Sequence, residues 1–125
     1  MLNNDFFYIR YIQDTGGNIA AELQINPAHK IFEGHFPNQP VVPGVCQVQM
    51  IKEILESVTG KSLQLKTADH IKFLSVIIPD HTSVIKASVS YTIGEGELSV
   101  TASLSREDKI CFKMKGIFLP MDNKL

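Results

Sequence analysis

The chain has 125 residues, 44% of them hydrophobic and 20% charged, which predicts one soluble globular domain spanning 1–125 and excludes a disordered chain. Its formal net charge is −1 and no basic run is present, so nucleic-acid binding is not expected. The N-terminus lacks the pattern of a signal peptide, and no apolar run reaches the ~18 residues of a membrane span. We therefore expect a cytoplasmic protein without membrane contact.

The first half of the chain predicts a hairpin, an irregular segment and one helix. Residues 6–12 and 18–25 are rich in β-branched, aromatic and other apolar residues and flank a DTGG turn, which indicates two paired strands. Prolines in 26–43 exclude a long helix there. Pro43 and Gly44 then open a helix over about 44–58, ended by Thr59-Gly60. Its predicted apolar face consists of Val45, Val48, Ile51, Leu55 and Val58.

The second half predicts four strands, over 63–77, 83–93, 98–105 and 110–120. The first alternates loosely, which indicates a bulge or a bend. The second alternates strongly and places Ile85, Ala87 and Val89 on one face. Several antiparallel strands and one apolar helix pack best when the sheet curls around the helix. The predicted fold class is therefore α+β, with a curved antiparallel sheet wrapped around one central helix.

The segment GHFPNQPVVPGVCQVQ (34–49) resembles the signature of β-hydroxyacyl-[acyl-carrier-protein] dehydratases. That signature reads His-Phe-Pro-Gly-x-Pro-x-x-Pro-Gly-Val, followed by an acidic residue on the helix. The residues in register are His35, Phe36, Pro37, Pro40, Pro43, Gly44 and Val45. KFLSVIIPDHT (72–82) resembles a second motif of the family less closely. The short N-terminus is more similar to small dehydratases of specialised acyl or polyene pathways than to the enzyme of core fatty acid biosynthesis.

The resemblance implies a hot-dog fold and a hydro-lyase that removes water from a 3-hydroxyacyl thioester to give the 2-enoyl thioester. It implies that His35 is the acid and base, because the pKa of histidine lies near neutrality. The resemblance further implies that the prolines would hold His35 beside the helix start, where the N–H groups of Gly44 and Val45 would stabilise charge on the thioester oxygen. The substrate-binding candidates are Phe36, Pro43, Val45 and Phe73, and no cofactor or metal is expected.

Two positions depart from the family pattern. Asn38 replaces a glycine, and asparagine also accepts turn conformations. Gln49 replaces the helix acid, and a carboxamide does not exchange protons near neutral pH. Three hypotheses remain open: His35 performs both proton transfers while Gln49 positions the substrate; another carboxylate, such as Glu33, Glu53 or one from a partner chain, substitutes; or the protein binds acyl thioesters without dehydrating them.

The resemblance also implies partners. Family members form dimers by pairing sheets edge to edge, so a homodimer, or a higher oligomer, is expected, with His35 of one chain facing Gln49 of the other. An acyl carrier protein or coenzyme A would deliver the thioester, and scattered lysines offer a modest docking rim: Lys30, Lys61, Lys66 and Lys72. The rival functions are an acyl-thioester hydrolase on the same fold and a non-catalytic acyl-binding subunit.

Overall fold

The computed structural model describes residues 1–33, 40–80 and 82–121. Within these ranges the chain forms six strands and one α-helix, with a short 3₁₀ turn at Lys30–Phe32. In chain order the elements are β1 (Phe7–Thr15), β2 (Asn18–Ile25), α1 (Gly44–Thr59), β3 (Leu63–Phe73), β4 (Ile85–Gly94), β5 (Glu97–Arg106) and β6 (Lys109–Pro120).

The strands form one antiparallel sheet in the order β1-β2-β4-β5-β6-β3, so β1 and β3 are its edges. One face of the sheet packs on α1, and the helix side chains join a single core with residues of the strands. The alternation predicted for β4 is confirmed, because Ile85, Ala87 and Val89 are all buried. The α+β architecture predicted from the sequence is therefore confirmed. No helix within the described ranges is long and apolar enough to cross a membrane.

The face of α1 that meets the sheet agrees only in part with the predicted one: Ile51 and Leu55 are buried as predicted, and Val58 packs against the core. Val45 is 76% exposed, and Val48 is only partly buried. The buried residues form two adjacent rows along the helix: Cys46, Met50 and Ile54, and Gln47, Ile51 and Leu55. Apolar residues surround much of this helix, so periodicity alone does not select the face that packs on the sheet. The contact with the strands makes that selection.

The structure confirms where the helix ends and shows where β3 ends. The predicted glycine stop is confirmed, since the backbone of Gly60 is left-handed at φ 71° and its N–H donates to the Glu56 carbonyl.

β3 has register shifts against β6, as its loose alternation predicted. It ends at Phe73 rather than at residue 77, because the N–H groups of Leu74 and Ser75 both donate to the Cys111 carbonyl. The chain thereby leaves the sheet next to α1.

The loop between β3 and β4 is held by one carboxylate. Asp80 accepts hydrogen bonds from the backbone and hydroxyl groups of both Thr82 and Ser83 and contacts Arg106 at 3.3 Å. The hydroxyl of Ser83 is the largest cause that lowers the pKa of Asp80 to about 2. A charged Asp80 thus keeps this loop turned back towards the start of β4.

Candidate active site at the start of the helix

The first turn of α1 offers backbone donors without a capping side chain. Pro43 occupies the N-cap position with extended backbone, and its ring provides no hydrogen-bond acceptor. The Pro43 carbonyl accepts from the N–H groups of Cys46 and Gln47. Upstream, the N–H of Val42 donates to the Ile77 carbonyl at 2.8 Å, which ties the approach to the helix to the loop after β3. The Gly44 and Val45 amides stand before these bonds, where a helix stabilises negative charge.

A cavity of about 420 Å³ opens at this helix start. The approach to the helix, its first turn and the segment after β3 form its walls: Val41, Val42, Pro43, Gly44, Gln47, Phe73, Leu74, Ser75 and Val76. Most of these side chains are apolar and none is charged. Such a cavity suits a neutral ligand with an apolar body, and its volume is within the range of small-molecule sites.

Phe73 lies directly against Gly44. A Cβ atom added to Gly44 would lie 2.6 Å from Cζ of Phe73, so a glycine is what allows the ring to approach the helix start. The ring also contacts Phe112 with centroids 5.3 Å apart, although Phe73 remains 55% exposed. Three of the predicted site residues, Pro43, Gly44 and Phe73, therefore meet in one cavity.

The other predicted site residues are not brought into this cavity. Val45 is directed to solvent, with 76% of its surface exposed, and it does not line the cavity. Gln49 is half-buried, and its Nε2 donates to Oε2 of Glu53 at 2.8 Å. His35 and Phe36 lie outside the described residues. The two histidines within the described ranges, His29 and His70, do not line this cavity.

Glu53 is a buried carboxylate, with 2% of its surface exposed. Its two oxygens accept from the N–H of Leu2 at 2.8 Å, from the N–H of Asn3 at 2.7 Å and from Gln49. Charge-assisted bonds of this kind are strong, and they use most of the acceptor positions of the carboxylate. Glu53 therefore fastens the N-terminal segment to α1 and orients the Gln49 carboxamide.

Sequence reasoning missed Gln47, which lines the cavity and is only 3% exposed. Its Nε2 donates to the Val42 carbonyl at 3.2 Å, while Oε1 has no hydrogen-bond partner among the described residues. The sequence could have indicated Gln47, because it is a polar residue in the same helical row as the buried Ile51 and Leu55.

Cys46, one residue earlier, is buried on the core side of the helix, and burial raises the pKa of its thiol.

A larger depression of about 560 Å³ lies on the opposite face of the sheet. Its lining is polar and includes Asp69, His70 and Lys115. The helix start contributes no residue to it, so it offers neither the amide donors nor the apolar walls of the smaller cavity. No group of three His, Cys, Asp or Glu side chains in the described part of the chain is placed to hold a metal ion.

The fold is that of a hot-dog protein, and the candidate site is the cavity at the start of its central helix. A family model described as ApeI-like, ApeI dehydratase, matches residues 11–115. The chain belongs to this ApeI-like dehydratase family. The resemblance to hydroxyacyl dehydratases that the sequence motif indicated is thereby confirmed.

Curated relatives are similar over most of the chain. The 3-hydroxyacyl-[acyl-carrier-protein] dehydratase FabZ of Wolbachia pipientis wMel is 26% identical over 102 residues, which cover 75% of this chain and 71% of the relative. The protein of the same name from Clostridium tetani (strain Massachusetts / E88) is 28% identical over 111 residues, 79% of this chain and 78% of the relative.

Solved structures share the fold at lower identity. The dehydratase heterocomplex ApeI:P from Xenorhabdus doucetiae aligns with a TM-score of 0.72 and 18% identity, over 89% of this chain and 96% of that one. A hypothetical thioesterase with coenzyme A from Streptococcus pneumoniae TIGR4 aligns with a TM-score of 0.62 and 10% identity, over 95% and 91%. At such identities the likeness shows the hot-dog fold alone.

Replacing Glu53 by leucine is expected to lower the free energy of unfolding by about 2–4 kcal/mol, because buried donors lose a charged acceptor. Glu53→Gln keeps one acceptor oxygen and should lose less. Urea denaturation measures both, with Glu22→Leu at an exposed position of β2 as the control, expected within about 0.5 kcal/mol of wild type. Equal stability of Glu53→Leu and wild type would contradict the anchoring role.

Proposed function

We propose that this protein dehydrates 3-hydroxyacyl thioesters to 2-enoyl thioesters. The observation that carries the proposal is the uncapped helix start of Gly44 and Val45 at an apolar cavity, in a chain of the dehydratase family. The thioester carbonyl would bind at these amides, and the acyl chain would occupy the apolar cavity. The FabZ relatives are named for 3-hydroxyacyl groups on an acyl carrier protein, which makes a carrier-bound thioester the first substrate to test.

In the proposed reaction, His35 removes a proton from C2 while the amides of the first helical turn stabilise the charge that develops on the thioester oxygen. The C2 electrons form the C2–C3 double bond, and the C3–O bond breaks. The proton returns to the departing hydroxyl, which leaves as water. The role of His35 rests on the family motif, since that residue lies outside the described ranges.

The geometry around Gln49 supports the first of the three hypotheses, in which His35 performs both transfers. Glu53 lies within hydrogen-bonding distance of Gln49, but it is buried and accepts from Leu2 and Asn3. The oxygens of this carboxylate are occupied by three donors within the protein, so Glu53 is not free to contact a substrate. Gln49, whose amino group is held by Glu53, would then present its carbonyl oxygen to a neighbouring group.

The exposed edge of β3 supports a homodimer. This edge strand carries apolar side chains at the surface, with Leu65 37%, Ile71 37% and Phe73 55% exposed. Unpaired apolar edges are normally covered or paired, and an identical antiparallel strand satisfies both needs. We propose that two copies pair at β3, which would bring a second chain next to the cavity that Phe73 lines.

The proposed activity predicts that wild type converts a 3-hydroxyacyl-carrier substrate to the conjugated enoyl thioester, followed by the rise in ultraviolet absorbance. His35→Ala should lower the rate by about 10²-fold or more, since it removes the acid–base group. His70→Ala, exposed on β3, is the matched control and should retain wild-type turnover. Wild type that binds acyl thioesters without turnover would favour the binding subunit, and release of free thiol would favour the hydrolase.

Exchanging the two helix side chains tests whether Gln49 limits the rate. Gln49→Glu alone would place two carboxylates within hydrogen-bonding distance, which raises the energy of the charged pair. The double variant Gln49→Glu/Glu53→Gln keeps one carboxylate and one carboxamide, and it should dehydrate about tenfold faster than wild type. The single variant Glu53→Gln measures how much the loss of the Glu53 carboxylate alone changes the rate, so that the effect of a carboxylate at position 49 can be calculated. An unchanged rate in a folded double variant would show that a carboxylate at this position is not limiting.

The homodimer predicts that Ile71→Lys shifts the chain towards monomer, because a charge enters the apolar edge. Size-exclusion chromatography with light scattering measures the mass. Ser88→Lys, exposed on the central strand β4, is the control and should remain dimeric. A wild type that is monomeric alone and forms a complex with a second hot-dog protein would contradict the homodimer and indicate a heterodimer.

A further inference from the structure

Gln47 contains a buried oxygen that has no hydrogen-bond partner among residues 1–33, 40–80 and 82–121. The residue is 3% exposed, and Oε1 accepts no hydrogen bond from the described part of the chain. The orientation of the carboxamide follows from chemistry, because the Val42 carbonyl only accepts and so must face the Nε2 amino group. Buried acceptors are normally satisfied, and an orphan one destabilises the folded state. This arrangement calls for a donor from a ligand.

The cavity limits what that donor can be. Apart from Gln47, the only polar side chain in its lining is the hydroxyl of Ser75, and no hydrogen bond joins the two in the described structure. Among the described lining residues no side chain is charged, which favours a neutral donor on an apolar body. An acyl chain that carries a hydroxyl has this chemistry.

The helix places Gln47 one turn after Gly44. Side chains on a helix lean towards its N-terminus, and the bond from Gln47 to Val42 shows this direction. One turn rises about 5.4 Å. Gly44 and Gln47 line the same cavity, so a thioester carbonyl bound at the Gly44 amide would bring the 3-hydroxyl, two carbons farther along the acyl chain, towards the Gln47 carboxamide.

We propose that Oε1 of Gln47 accepts a hydrogen bond from the 3-hydroxyl of the acyl thioester, an inference that rests on the dehydratase function proposed above. Gln47 transfers no proton; it selects and orients the hydroxylated acyl chain. A saturated chain or the 2-enoyl product has no donor at C3 and leaves the oxygen unpaired. A 3-oxoacyl chain places a second acceptor there, so it binds worst. Loss of the hydroxyl on dehydration then weakens product binding.

Binding of non-reactive substrate analogues tests the proposal. The full chain is titrated with hexanoyl, 3-hydroxyhexanoyl and 3-oxohexanoyl amides of aminopantetheine, in which nitrogen replaces the thioester sulfur. Wild type should bind the 3-hydroxy analogue about tenfold more tightly than the saturated one, the value of one satisfied hydrogen bond, and the 3-oxo analogue most weakly. Gln47→Met should bind the 3-hydroxy and saturated analogues within about twofold of each other.

Two comparisons separate this role from a structural one. Gln13→Met makes the same replacement at an exposed position of β1 and should keep the wild-type preference. Gln47→Leu provides a second apolar variant, and thermal unfolding checks that each variant is folded. Equal weakening of all three analogues by Gln47→Met overturns the proposal, because the residue would then act on the shared pantetheine portion or on the fold. A wild type without hydroxyl preference overturns it without any variant.

The titration does not require turnover, so it can contradict the role of Gln47 without contradicting the dehydratase function, and the activity assay can do the reverse. A protein that prefers the 3-hydroxy analogue but produces no enoyl thioester retains the role of Gln47 in binding and loses the dehydratase function. A protein that dehydrates its substrate and shows no hydroxyl preference retains the function and loses the role of Gln47.

Discussion

Burial of one face of α1 against the curved sheet is the constraint on which the rest of the structure depends. Met50, Ile51, Ile54 and Leu55 have no exposed surface, so the helix cannot rotate or slide without losing this packing. With the helix fixed, its start is also fixed beside the end of β3. The amides of the first turn, the Phe73 ring and the Gln47 carboxamide then share one cavity. The position of the helix start and its cavity therefore depends on hydrophobic packing farther along the same helix.

The same packing gives the two polar side chains at 49 and 53 different surroundings. Glu53 falls on the buried side, where the backbone of Leu2 and Asn3 satisfies its charge. Gln49 is half-buried and is oriented by Glu53 rather than by the cavity. The acid that the family motif has at the position of Gln49 thus has a counterpart one turn later, engaged in holding the N-terminal segment. Because Glu53 is engaged in these contacts, we propose that it does not take over the catalytic role of that acid.

An exposed strand edge next to a ligand cavity joins assembly to function. Phe73 lines the cavity and is also an exposed apolar residue at the end of β3. A chain that pairs with this edge would cover apolar surface and reduce the access of water to the helix start. Removing water strengthens the hydrogen bonds that a polar transition state makes there. The homodimer proposed above would use this edge.

The sequence by itself determined the order of the elements, the antiparallel sheet around one helix, and the motif that identified the dehydratase family. Local signals are enough for these features: alternation in β4, the Thr59-Gly60 stop and the proline-glycine start at Gly44 each depend on residues close in the chain. It also predicted that Pro43, Gly44 and Phe73 belong to one site, because the family motif carries that information.

Tertiary structure alone decided which face of α1 is buried, where β3 ends, and which polar side chains meet. The predicted face was right for Ile51 and Leu55 and wrong for Val45, since apolar residues occur around much of the helix and only the sheet selects among them. Glu53 received backbone donors about 50 residues away in sequence, and the Gln47 oxygen was left unpaired beside a cavity wall built from another element. Such contacts depend on distances between segments that are remote in the chain, which no local pattern encodes.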